Sequence, residues 1–143
     1  MLVGAVMTAG CAEFRPISRP VVQVQAVQLA GESNEGARIQ VTLLLKNPNQ
    51  VALPLVSTNY RVEVPGVGGF AFGDDSNRTL PAGGTQTLVL PAAIATHGQN
   101  LKGAACQVSG SVSYNPPGML RRLLTESGVP EPTTPFSVRR PLQ

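Results

Sequence analysis

Few side chains in this 143-residue chain could carry out acid–base, nucleophilic or metal chemistry. His97 is the single histidine, and Asp74-Asp75 is the only pair of adjacent acidic residues. A metal site requires several His, Cys or carboxylate ligands at set spacings, and a calcium loop requires a longer acidic series. No Lys-Ser or Lys-Thr pair follows the glycine-rich stretch 66–73, so this stretch lacks the pattern of a phosphate loop. The sequence therefore predicts no catalytic residue, no metal and no cofactor.

Cys11 is the candidate for chemical modification. The residues before it, Thr8-Ala9-Gly10, are small and follow a short apolar run over residues 2–7. This pattern resembles a bacterial lipobox, in which the leader is removed and the cysteine is acylated. It departs from the usual pattern at Thr8, and no Lys or Arg precedes the run as in most secretory leaders. We predict a lipid on Cys11; the alternative is an ordinary hydrophobic N-terminus with an incidental cysteine.

Composition and charge argue against other classes of protein. Hydrophobic content is 42%, but charged residues make up only 13%, against a usual share of about 25%. This combination is typical of a folded β protein with uncharged polar side chains on its surface. The net charge of +3 is modest and there is no Trp, whereas nucleic-acid modules carry basic stripes and stacking aromatics. We therefore predict no nucleic-acid partner and no small-molecule substrate.

Residues 38–55 form the stretch around which the rest of the chain is organised. Apolar and polar residues alternate over 38–46, which is the pattern of a half-buried strand. The inward positions of this pattern are Ile39, Val41, Leu43 and Leu45. Asn47, Pro48 and Asn49 then predict a turn, because proline cannot donate to a sheet and short amides bond to nearby backbone.

The same alternation predicts about seven strands, separated by glycine and proline turns, as in an antiparallel β-sandwich. Their ranges are 21–29, 38–46, 57–64, 69–73, 85–90, 106–114 and 136–138. The inward phase slips within 21–29, which predicts a β-bulge or a strand that changes sheets. Pro91 is predicted to end the strand 85–90, and Cys106 is predicted to point into the core.

One segment near the C-terminus has a helical pattern. An apolar stripe begins after two prolines, and Gly128 and Pro130 mark its end, so a helix is predicted over 117–126. We expect this helix to cover one open end of the sheets. The alternative is a membrane-surface helix that places Arg121 and Arg122 at the lipid headgroups.

The long apolar strand, the Asn47-Pro48-Asn49 turn and the Leu-Pro-Leu run after it resemble a known domain. This is the water-stress and hypersensitive-response (WHy) domain of the group 2 late-embryogenesis-abundant (LEA) proteins. The resemblance implies an all-β, antiparallel sandwich like an immunoglobulin or fibronectin type III domain, with one short helix. The resemblance covers the domain, residues 20–142, and the lipobox pattern predicts a lipoprotein-type signal segment (1–10) and a tether (11–19) before it.

The resemblance also implies a function without catalysis. WHy-type proteins are associated with desiccation, osmotic and cold stress. We therefore expect a stress-protection protein of the bacterial cell envelope that makes transient contacts with client proteins or lipid headgroups. A lipid on Cys11 would anchor it, with the outer membrane as the expected location and the periplasm as the side that it faces. The alternative is a protein–protein interaction module, for adhesion or assembly, that uses an exposed strand edge or the loop 66–73. The outward polar residues that could form the protective surface are Gln40, Thr42, Gln107, Ser109, Ser111 and Ser113; the alternative for each of them is a merely solvated sheet face.

Overall fold

The computed structural model describes residues 17–75, 78–116, 128 and 132–143. These residues form eight strands and no helix. The strands are β1 (Val21–Glu32), β2 (Gly36–Lys46), β3 (Leu53–Val64), β4 (Gly68–Asp74), β5 (Thr79–Leu80), β6 (Thr85–Ala95), β7 (Ala105–Tyr114) and β8 (Thr133–Pro141). The predicted ranges fall within all of these strands except the two-residue β5, which was not predicted. The helix predicted over 117–126 lies outside the described residues. Within those residues, no helix has the length and hydropathy needed to cross a membrane.

The strands form two sheets in which every pairing is antiparallel. One sheet has three strands in the order β1-β2-β6. The other has five, in the order β4-β3-β7-β8, with β5 paired to the start of β3. The predicted all-β antiparallel fold is confirmed, whereas its assignment to an immunoglobulin or fibronectin type III topology stays a prediction.

The two sheets share one hydrophobic core, which makes the arrangement sandwich-like. Alternate residues of the five-stranded sheet, such as Val62 and Val108, face the three-stranded sheet. Cys106 lies in the core with no exposed surface, as predicted. The inward positions predicted for β2 are at most 1% exposed, and they are Ile39, Val41, Leu43 and Leu45.

The predicted change of phase in β1 is produced by β-bulges. The register of β1 against β2 shifts between Val24 and Ala26 and again between Leu29 and Gly31. β1 remains paired with β2 on both sides of each shift, so the strand does not leave its sheet. An extra residue at a bulge turns the following side chains to the other face, which lets both Val24 and Val27 be buried.

The prediction that Pro91 ends a strand is wrong, because β6 continues through it to Ala95. The register with β2 runs without a shift, and Pro91 lies opposite Gln40. β6 is an edge strand of its sheet, next to β2 on one side only. A proline is tolerated at an edge because the missing N–H can lie on the unpaired side of the strand.

The two sheets are also joined by hydrogen bonds at their sides. On one side, Arg140 Nη1 in β8 donates a hydrogen bond of 2.9 Å to the carbonyl of Gln25 in β1. On the other side, the Tyr60 hydroxyl in β3 donates to the carbonyl of Pro91 in β6. The core therefore lies between two faces that are held together at both flanks.

Candidate functional site

The Asn47-Pro48-Asn49 turn follows β2 and contains a buried side-chain amide. Asn47 has no exposed surface, although asparagine side chains are mostly exposed in proteins. Its Nδ2 donates to the carbonyls of Val51 (2.8 Å), Leu80 (3.2 Å) and Pro81 (3.1 Å). Val51 belongs to the same turn, whereas Leu80 and Pro81 lie at the end of β5. One amide therefore fixes the turn after β2 to the connection between β5 and β6.

The oxygen of this amide is also satisfied within the protein. Asn47 Oδ1 accepts hydrogen bonds from the backbone N–H and from Nδ2 of Asn49, both at a distance of 3.0 Å. The backbone adds two bonds to the same connection, from Asn47 N to Gly84 O and from Gly83 N to Asn49 O, each of 2.9 Å. Pro48 is exposed between them and has no N–H that would need a partner.

Asn49 holds the segment that precedes β1. Its Nδ2 donates to the carbonyl of Ser18, and its Oδ1 accepts from the N–H of Ser18. Each of these hydrogen bonds has a length of 2.8 Å. We call this reciprocal pair the Ser18 clasp. Beside it, Ile17 packs against the hydrophobic core. The last residues of the predicted tether, 11–19, are thus attached to the domain next to the Asn47-Pro48-Asn49 turn.

This arrangement fixes backbone positions and offers no reactive group. Amide side chains donate and accept hydrogen bonds, but they supply neither a nucleophile nor a general base. Elsewhere in the described part of the chain, no group of three or more His, Cys, Asp or Glu could hold a metal ion. Cys11 lies outside the described residues, so its lipidation stays a prediction.

The one cysteine that the structure describes is chemically protected. Burial raises the pKa of the Cys106 thiol from 9.0 to about 11. The thiolate is the reactive form of cysteine, and it is scarce at neutral pH when the pKa is this high. Cys106 therefore acts as a small apolar residue of the core.

The polar residues that the sequence grouped into one surface lie on two faces. Gln40 and Thr42 belong to the outer face of the three-stranded sheet, and the residues from β7 belong to the outer face of the five-stranded sheet. Because the core separates these two faces, they cannot form one contact surface. The second face continues from β7 across the neighbouring strands. We call it the serine face and define it by Asn59, Arg61, Gln107, Ser109, Ser111, Ser113 and Ser137.

An apolar groove beside β4 was not predicted from the sequence. Phe70 and Phe72 have ring centroids 6.0 Å apart, and that of Phe72 lies 6.2 Å from that of Tyr60. Phe72 is 52% exposed, which is unusual for so large an apolar side chain. The groove has a volume of about 270 Å³, and Pro91 and Ala93 line its other side. We call it the β4 groove.

Tyr60 forms the floor of this groove and connects the two sheets. Burial, and secondarily the negative charge of Asp74, raise the pKa of the Tyr60 hydroxyl. The hydroxyl therefore remains a donor to the Pro91 carbonyl well into the alkaline range.

Solved structures with the same architecture define the class of fold. The chain is similar to the solution structure of a protein described as an LEA protein of Arabidopsis, with a TM-score of 0.62, 17% identity, and coverage of 85% of this chain and 68% of that one. It is similar to the X-ray structure of Northeast Structural Genomics Consortium target SoR45, with a TM-score of 0.63, 11% identity and coverage of 90% of both chains.

The solution structure of a further Arabidopsis thaliana protein gives a TM-score of 0.55 at 14% identity, over 90% of this chain and 85% of that one. No protein-family model and no curated protein sequence matches this chain. The chain therefore shares an LEA-type fold with these structures at the level of architecture.

Proposed function

We propose that this protein is a non-catalytic stress-protection protein of the LEA/WHy type, anchored in the bacterial cell envelope by a lipid on Cys11. The observation that carries the proposal is the fold that it shares with the Arabidopsis LEA protein. The buried network around Asn47 adds support, because it centres on the Asn47-Pro48-Asn49 turn by which the sequence resembles WHy domains. Desiccation, osmotic stress and cold are the conditions under which we expect the protein to act.

The serine face is the surface that we assign to this role. Most of its side chains are short, uncharged and capable of hydrogen bonding, so they remain compatible with surroundings from which water is being withdrawn. Each contact with a client protein or a lipid headgroup would be worth about 1 kcal/mol, and such contacts form and break readily. A protein with this surface would stabilise its neighbours without binding any one of them tightly.

The Ser18 clasp gives the anchor a defined geometry. An extended chain spans at most about 3.5 Å per residue, so the stretch from Cys11 to Ser18 reaches about 25 Å. A lipid on Cys11 would therefore keep the Asn47-Pro48-Asn49 end of the domain within that distance of the membrane. We expect the outer membrane, with the domain in the periplasm.

Protection of a labile enzyme tests the function. The enzyme is dried or frozen with the full chain carrying Cys11→Ser, and an unrelated β-sandwich of equal mass serves as the control. We expect higher recovery of activity with this protein, and a loss of that gain in the double variant Ser109→Ala, Ser111→Ala. The matched pair Gln40→Ala, Thr42→Ala on the opposite face should keep the gain. Equal recovery with this protein and with the unrelated sandwich would contradict the proposal.

Metabolic labelling tests the anchor. The full chain, expressed in a bacterial host with a labelled fatty acid, should take up the label and enter the detergent fraction. Cys11→Ser should remove both properties, whereas Cys106→Ala should keep the label. A soluble, unlabelled wild-type protein would show that the cysteine is incidental.

The β4 groove favours a second function, that of an envelope protein–protein interaction module. A contiguous apolar patch on a protein surface marks a contact site, and Phe70, Phe72 and Ala93 form such a patch in this groove. Affinity capture from envelope extracts should then recover one stoichiometric partner, and Phe72→Ser should release it. Recovery of many proteins in small amounts would favour the protective function instead.

A further inference from the structure

Apart from the two-residue β5, four strands lie at the edges of the two sheets, namely β1, β6, β4 and β8. Exposed edges pair with other chains unless bulges, prolines or charges prevent it. β1 contains two register shifts, β6 contains Pro91, and β8 carries a proline near each end and two adjacent arginines. Each of these three edges is therefore protected by a recognised device.

β4, with the sequence GGFAFGD, has none of these devices. Its register with β3 runs without a shift from Gly68 to Asp74, and it contains no proline. Its single charged residue, Asp74, is the last of the strand. Among the strands that the structure describes, only β3 pairs with it, and no described strand pairs with its outer edge.

We propose that β4 pairs with β4 of a second copy of this chain, antiparallel and centred on Ala71. A two-fold axis at Ala71 places Phe70 of one copy directly opposite Phe72 of the other. Residues opposite each other in an antiparallel pair share a face of the sheet, so all the phenylalanines of the two strands meet on the side of the β4 groove. Aromatic cross-strand pairs of this kind stabilise sheet edges.

The charges agree with this register. The axis separates the two Asp74 carboxylates by about 20 Å, because they lie at opposite ends of the paired strands. Each Asp74 comes opposite Gly68 of the other copy, which lies against Ile94 and Ala95. Like charges are thus kept apart in this register.

The pairing is self-complementary, which is what a two-fold dimer requires. One pair of seven-residue strands buries less than the roughly 800 Å² per partner of a standard interface, so we expect a weak dimer that depends on concentration. The inference stands apart from the stress-protection function, and either can fail without the other.

Sedimentation of the full chain carrying Cys11→Ser over a wide range of concentrations tests the proposal. This chain, with β4 unchanged, should show a monomer–dimer equilibrium. Ala71→Lys should abolish the dimer, because it sets two positive charges opposite each other at the axis. Ser137→Lys is the matched control, since it adds the same charge to the same outer row of the sheet, away from β4, and should leave the dimer intact. Circular dichroism establishes that each variant is folded.

A charge-swap experiment locates the axis. Ala71→Glu alone should be monomeric, and its mixture with Ala71→Lys should form a heterodimer. A wild-type chain that stays monomeric at all concentrations would overturn the proposal. So would a dimer that survives Ala71→Lys, equal loss of the dimer in Ala71→Lys and Ser137→Lys, or a mixture of the two Ala71 variants that stays monomeric.

Discussion

At the level of single residues, the buried amide of Asn47 is the site whose loss should cost most stability. Asn47→Ala removes the donor to three carbonyls and the acceptor for two N–H groups at once. Buried groups left without partners should lower the free energy of unfolding by about 3 kcal/mol. Urea unfolding measures this loss. Asn100→Ala, which removes one exposed bond to the N–H of Lys102, is the control and should cost less than about 1 kcal/mol.

Gly110 occupies a position in β7 with no room for a side chain. A Cβ there would lie 2.2 Å from the carbonyl oxygen of Asn59 and 2.7 Å from Cζ of Phe136. Because the first contact is with backbone, Gly110→Ala should lower the free energy of unfolding by about 3 kcal/mol. At Gly69 in the same sheet, the nearest atom is 3.5 Å away, so Gly69→Ala should be nearly neutral. Similar losses for both variants in thermal or urea unfolding would contradict this interpretation.

The Cys106 thiol should make stability depend on pH in the alkaline range. Its pKa rises from 9.0 to about 11 on folding, so the unfolded chain releases its proton first as the pH rises. This contribution to stability is fully present below pH 9.0 and is lost as the pH rises through about 11. In a Cys11→Ser background, the decline in unfolding free energy over this range should be shallower for Cys106→Ala. Equal slopes with and without the thiol would rule out this assignment.

At the level of elements, the bond from Tyr60 to Pro91 connects an inner strand of one sheet to an edge strand of the other. Tyr60→Phe keeps the ring in the β4 groove and removes the bond. We expect the free energy of unfolding to fall by about 1 kcal/mol, because water in the groove can partly replace the lost partner. Ser113→Ala removes a hydroxyl from the serine face and should have almost no effect. Urea unfolding of both variants measures the difference.

The sequence predicted the strands in which apolar and polar residues alternate because one face is buried, as in β2 and β7. It could not predict that β6 passes through Pro91, because this depends on β6 being an edge strand, and strand order is a property of the whole sheet. Phe70 and Phe72 were placed correctly on a strand. The exposure of Phe72 was not predictable, because it depends on how far the narrower sheet opposite reaches over β4, whereas Phe70 packs against the core.

The candidate site shows the same limit. A turn at Asn47-Pro48-Asn49 could be predicted from residue types, because proline and short amides affect the backbone of their immediate neighbours in the chain. The hydrogen bonds from Asn47 to the carbonyls of Leu80 and Pro81 could not be predicted, because these residues are 33 and 34 positions away in the chain. Nothing local in the sequence marked Ser18 as the partner of Asn49.

At the level of the whole molecule, the Ser18 clasp determines where the predicted tether joins the domain. Asn49→Ala removes both side-chain bonds of the clasp. The amide of Ser18 should then exchange its hydrogen faster, while the amides of β2 and β7 keep their protection. Hydrogen exchange measured by NMR tests this, with Asn100→Ala as the control. Unchanged exchange at Ser18 would show that Ile17 and the backbone alone hold the segment.

The two bulges of β1 have a consequence for how the length of this strand can vary. The extra residues are Gln25 and Ala30, the ones that have no partner in the register with β2. Deletion of Gln25 would bring Val24 and Ala26 next to each other with their present partners, Leu43 and Thr42, and would leave every inward side chain on its face. Deletion of a paired residue would instead move every side chain on one side of the deletion to the opposite face of the sheet. Homologues that differ in length within β1 should therefore lose or gain residues at these two positions.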